Sequence, residues 1–102
     1  MAVARMWDGT AWVDILGYGK NVRSKTATYT ALGGDVVLAN GTFTVTLPAA
    51  SLNVEVTVKN IGTGTVTVAA PSGTIDGATT AILSVQYHSI TVVSDGTNWF
   101  IV

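Results

Sequence analysis

Cysteine is absent from this chain, so no disulfide framework, thiol nucleophile or thiolate metal site can be built from it. Charge is scarce as well: charged residues make up 11% of the sequence and the net charge is -1, where an ordinary soluble domain has about a quarter of its residues charged. Broad electrostatic attraction therefore does not hold the chain to a partner, and much of its surface is expected to be covered by something. Thr, Ser, Gly or Asn interrupts every apolar run, so no window approaches the roughly 18 consecutive apolar residues of a membrane span. Met1 to Trp7 carries neither a basic region followed by an apolar one nor a small-residue cleavage site, and no secretion signal is expected. With 102 residues the chain reads as one small domain, which oligomerisation would help considerably. Its initiating Met and short length favour a complete gene product, with a fragment of a longer fibre as the open alternative.

What the chain does have is one phrase used twice. Asp8-Gly9-Thr10-Ala11-Trp12 stands near the start and Asp95-Gly96-Thr97-Asn98-Trp99 near the end, each an Asp-Gly turn feeding an aromatic-led strand. The first copy lies in a leader, residues 1–25, that holds two of the three Trp and four of the five basic residues: Arg5, Lys20, Arg23 and Lys25. A short turn-strand unit around residues 6–16, then a polar connector, is the expected organisation. Such an arm has little core of its own and needs a surface to lie on.

From Thr26 the pattern changes to period two. Phe43, Val45 and Leu47 alternate with threonines, Val54, Val56 and Val58 with Glu55, Thr57 and Lys59, and Val66 and Val68 with Thr65 and Thr67. The Gly62-Thr63-Gly64 turn predicts a β-hairpin over Asn53 to Ala69. Pro71-Ser72-Gly73 and Asp76-Gly77 mark further turns, followed by strands at Ala81 to Gln86, His88 to Ser94 and Trp99 to Val102. No segment has a helical apolar period. Seven or eight short strands predict an all-β fold, a small antiparallel β-sandwich or jelly-roll-like barrel over residues 26–102, preceded by an extended N-terminal arm. Val92 and Val93 with Phe100 and Val102 give both faces of the last hairpin apolar residues, and subunit contact is the simplest cover for the outer one.

The catalytic inventory is thin. There is one histidine, and Asp8, Asp35, Asp76 and Asp95 all adjoin glycine, the setting of turn aspartates that accept backbone N–H bonds. No nucleophile elbow, phosphate loop or dinucleotide fingerprint is present. No enzyme activity, cofactor or metal is expected. Lys20, Arg23 and Lys25 near Tyr18 make only a faint nucleic-acid patch, better read as a solvated connector. Trp99 beside a turn reads as core in preference to a sugar platform.

The run Val58-Lys59-Asn60-Ile61-Gly62-Thr63-Gly64-Thr65-Val66-Thr67-Val68, then Thr74-Ile75-Asp76-Gly77-Ala78, Leu83-Ser84-Val85-Gln86-Tyr87 and Ser94 to Val102, resembles the small β-domains of tailed-bacteriophage virion proteins: capsid decoration proteins, head fibres and tail-fibre modules. The likeness covers about residues 28 to 102. It implies a structural role in the virion, often as a trimer, without catalysis. The expectation is a capsid decoration (cement or head-fibre) protein on the capsid exterior, assembled in the host cytoplasm, with the major capsid protein as partner and neither nucleic acid nor membrane. Arg5, Met6, Trp7, Trp12, Lys20, Arg23 and Lys25 would contact the shell, and Tyr87, His88, Trp99, Phe100 and Val102 would form the contact in a homotrimer. The alternative is a tail-fibre or receptor-binding module that recognises a host surface glycan.

Overall fold

The computed structural model describes residues 20–102 and, before them, only two short strands, β1 (Trp7–Asp8) and β2 (Ala11–Trp12), which pair antiparallel with Trp7 opposite Trp12. Arg5, Met6 and the side chains of Trp7 and Trp12 lie outside the described residues, and so does the rest of the expected attachment arm before Lys20. The body is built from β3 (Asn21–Lys25), β4 (Tyr29–Thr30), β5 (Asp35–Ala39), β6 (Phe43–Thr46), β7 (Glu55–Asn60), β8 (Val66–Ala69), β9 (Thr80–Leu83), β10 (Ser89–Ser94) and β11 (Trp99–Ile101). No helix occurs among the described residues, and the fold is all-β with two sheets.

The fold is all-β as expected, but the sheets are mixed where the strand spacing predicts antiparallel ones. One has the order β11-β10-β7-β5-β3 and the other β4-β6-β8-β9. From β3 to β8 the chain alternates between them, so β3, β5 and β7 are mutually parallel neighbours in one sheet, and β4, β6 and β8 in the other. A parallel pair requires a crossover connection. Here each crossover is a strand of the opposite sheet, and the chain winds around its own core. The winding then stops: β9 turns back antiparallel to β8, β10 lies antiparallel to β7, and β11 closes the edge beside β10.

Two further sequence expectations are corrected by this path. The strands expected as a hairpin over Asn53 to Ala69 are β7 and β8, which belong to different sheets. Their valines face each other across the sandwich interior. Asn21 to Lys25, whose polarity suggested a connector, is strand β3 of the body, in register with β5 from Asn21 opposite Asp35 to Lys25 opposite Ala39. Its polarity reflects its place at the sheet edge.

The core is nearly all valine and follows the predicted faces. Val37, Ala39, Val56, Val58, Val92 and Trp99 of the first sheet meet Val45, Leu47, Val66, Val68 and Leu83 from the second sheet and its flanks. β-Branched residues suit a pleated, half-buried surface, and each fully buried Val or Leu contributes about 1.5–3 kcal/mol. Thr44 and Thr46 on β6 and Thr67 on β8 turn to the outer face, with Thr44 opposite Thr67.

The corner between β7 and β8 shows why this segment is an arch. Asn60 is fully buried; its Nδ2 donates to the carbonyls of Gly64 (2.8 Å) and Leu83 (2.9 Å), and its Oδ1 accepts from the Gly62 N–H (3.0 Å). One amide side chain thus satisfies three backbone groups that the corner removes from the ladders. The preceding corner is packed directly beneath: a Cβ on Gly64 would lie 2.5 Å from Thr42 Oγ1 and 2.6 Å from the Gly41 carbonyl carbon.

Candidate functional site

At one end of the body, β3 and β4 are the last strands of their sheets, and most of the chain's basic residues gather there. Lys20 Nζ meets Glu55 Oε2 at 2.8 Å, with both side chains about half exposed. A pair of that kind contributes about 0–1 kcal/mol. Arg23 Nε lies 3.5 Å from Oδ1 of Asp35, and Lys25 Nζ sits 4.3 Å above the centre of the Tyr29 ring. The structure brings the three cations to one end, each already in contact with a group of its own chain.

Asp35 organises this end. Its carboxylate is wholly buried, and it accepts from the Tyr29 hydroxyl at 2.6 Å and from the Leu32 N–H at 2.9 Å in addition to Arg23. A buried charge persists only when paired and hydrogen-bonded, and all three partners come from β3, β4 and the turn after it. The bond to Asp35 holds the Tyr29 phenol above the ordinary tyrosine range; burial and the Asp35 charge act in the same direction, while Arg23 opposes them. Adjacency to Gly34 suggested only a turn aspartate. The tyrosine six positions upstream was the available sign that its carboxylate has a larger task.

The other aspartates beside glycine behave more nearly as expected. Asp95 accepts from the N–H groups of Thr97 and Asn98, both at 2.9 Å, and those bonds, Asn98 first, lower its carboxyl below the usual range. Asp76 accepts the Ile101 N–H at 3.1 Å from a left-handed backbone, φ 50°.

The residues expected at a subunit contact divide. Trp99 is not available for one: it is fully buried in the chain's own core, and its Nε1 has no hydrogen-bond partner among the described residues. It faces inward because it lies opposite Ser94, another buried position, across the β10–β11 pair. Phe100, Ile101 and Val102 are exposed beside it, Val102 most of all. Tyr87 and His88 are exposed in the turn between β9 and β10. Tyr87 adopts φ 70°, an uncommon conformation for a bulky residue, and its N–H donates to the Asn60 carbonyl. Lys59 Nζ stands 5.9 Å from its ring centre.

Among the described residues no group of three or more His, Cys, Asp or Glu side chains is placed to hold a metal ion. No protein-family model and no curated protein matches the chain in sequence.

Proposed function

We propose that this chain is a non-catalytic structural protein of a phage virion, a capsid decoration protein of the cement or head-fibre kind. It docks on the capsid shell through its N-terminal arm and associates as a homotrimer through its β-body, on the outside of a particle assembled in the host cytoplasm. The observation that carries this reading is the contrast at β11. Trp99 completes a closed, valine-packed core, yet the three apolar residues that follow it, Phe100, Ile101 and Val102, are all exposed, with Phe100 and Val102 alternating with Ile101 along the chain. Apolar surface left over by a sealed core is surface for another molecule. The low charge and the resemblance of the ordered motifs to those of virion β-domains support the same reading.

The arm supplies anchors of the right type. Two tryptophans buried at about 25 cal/mol per Å² contribute several kcal/mol per subunit, and three arms on one trimer multiply that through effective concentration. The full chain with Trp7→Ala and Trp12→Ala should cosediment with purified shells of the encoding virus at less than a tenth of normal occupancy. Unchanged occupancy with an unchanged melting profile overturns the docking role.

Tyr87 favours a second reading, a receptor-binding module for a host glycan. Its ring is held outward by a strained backbone, and exposed aromatics stack on sugars. A glycan-array signal lost in Tyr87→Ala with the fold intact would establish this reading in place of the first.

A further inference from the structure

The two edges of the five-stranded sheet are finished differently. At β11 the outward-facing backbone is occupied: the Trp99 N–H donates to the Thr74 carbonyl at 2.7 Å, the Trp99 carbonyl accepts from Asp76 at 3.0 Å, and the Ile101 N–H donates to Asp76 Oδ1. The turn that does this runs through Asp76 at φ 50° and Gly77 at φ 87°. That edge is closed to further strands.

At β3 the ladder bonds fix which groups face outward. The Asn21 N–H donates to the Gly34 carbonyl and the Lys25 carbonyl accepts from Asn40, both at 3.0 Å, so residues 21, 23 and 25 turn their backbone groups toward β5. In a parallel strand the intervening residues turn theirs the other way. Val22 and Ser24 therefore point both N–H and C=O out of the sheet, and among the described residues no strand pairs with them. Val22 is 65% exposed. An open edge of this kind is a template for another strand.

The charge around the edge selects what can occupy it. Lys20, Arg23 and Lys25 flank Val22 and Ser24; Lys20 is paired with Glu55 and Arg23 with the buried Asp35, so the three cations exceed the two carboxylates beside them by one. Lys25 meets only an aromatic ring among the described residues. A second copy pairing through the same edge would set these cations against their own counterparts, a like-charge contact that disfavours self-pairing. An extended segment bearing Glu or Asp at alternate positions meets both the hydrogen-bonding and the electrostatic demand.

We infer that the outward edge of β3, at Val22 and Ser24, is a strand-addition site for an extended acidic segment of a partner protein. In the setting proposed above that segment belongs to the shell subunit, and this identification of the partner rests on that reading.

The test uses the full ¹⁵N-labelled chain and a synthetic octapeptide alternating Glu and Val, with a Lys-Val octapeptide as control. Amide exchange at Val22 and Ser24 should be fast in the free chain and slow at least tenfold with the Glu-Val peptide alone. Val22→Pro, which removes an outward donor and no ladder bond, should abolish the protection. The pair Lys20→Glu and Lys25→Glu should abolish the preference for the acidic peptide in a chain that folds normally. Three outcomes overturn the proposal: protection of both amides in the free chain, where residues 1–19 or a second copy already fill the edge; protection mapping elsewhere; or equal binding of the two peptides. Failure here with normal shell occupancy removes the edge site and leaves the decoration role standing. Peptide protection in a chain that never binds shells does the reverse.

Discussion

The Tyr29 hydroxyl donates a 2.6 Å hydrogen bond to Oδ2 of Asp35, and through it β4 of one sheet is tied to β5 of the other. This bond closes the end of the core where the winding begins. Asp35→Ala leaves the Tyr29 hydroxyl, the Leu32 N–H and Arg23 without their shared acceptor, and should lower stability by about 3 kcal/mol. Tyr29→Phe removes one donor and leaves Asp35 with its other two, so about 1 kcal/mol is expected. Urea unfolding of both variants checks the order; equal losses would contradict it.

The same bond makes alkaline stability depend on Tyr29. Its folded-state pKa is raised, first by the hydrogen bond to Asp35, so the folded chain holds the phenolic proton more tightly than the unfolded chain does. The contribution is complete below the unfolded value of about 10 and is lost as pH rises through the folded one. Stability of the native chain should fall more steeply above pH ~10 than that of Tyr29→Phe, by denaturation at stepped pH. In an absorbance titration at alkaline pH, a component that ionises above the ordinary tyrosine range should be present in the native chain and vanish in the variant.

Asn60→Ala removes three hydrogen bonds from a fully buried corner and strands the Gly62 N–H and the Gly64 and Leu83 carbonyls. The expected loss is about 2–4 kcal/mol. Asn60→Asp keeps the shape and replaces the double donor with an acceptor facing two carbonyls, and it should be no better tolerated. Chemical denaturation of the two variants checks this, and a loss under ~0.5 kcal/mol in either would remove Asn60 from its place in the arch.

Two glycines separate crowding from backbone conformation. A Cβ at Gly64 meets Thr42 and the Gly41 backbone, whereas at Gly77 it meets nothing within 4 Å and only φ 87° opposes it. Gly77→Ala should cost about 1 kcal/mol from the left-handed backbone alone. Gly64→Ala forces apart two stacked corners and should cost more, up to about 3 kcal/mol. Melting temperatures in the reverse order would contradict the stacking of these corners.

The faces of the strands were legible in the sequence because alternation survives any choice of neighbour. Val56 and Val58, Val66 and Val68, and Val45 with Leu47 all point inward as their spacing requires. Pairing was not legible for the same reason. Parallel and antiparallel ladders have the same two-residue period, and Gly62-Thr63-Gly64 fits a hairpin loop as well as an arch. The buried amide of Asn60 decides between them, and nothing in the local sequence says where its donors go. Polarity likewise misled at Asn21 to Lys25, since an edge strand and a linker share a composition. At the candidate site, the clustering of Lys20, Arg23 and Lys25 was visible, but their ties to Glu55, Asp35 and Tyr29 depend on strands that meet only in the fold.

The decoration role is tested most directly by cryo-electron microscopy of virions of the encoding virus, with and without this chain. The expected result is extra density for the β-body on the outer capsid surface, grouped in threes, with the chain before β3 directed at the shell. Density confined to tail fibres, or particles identical with and without the chain, would contradict it.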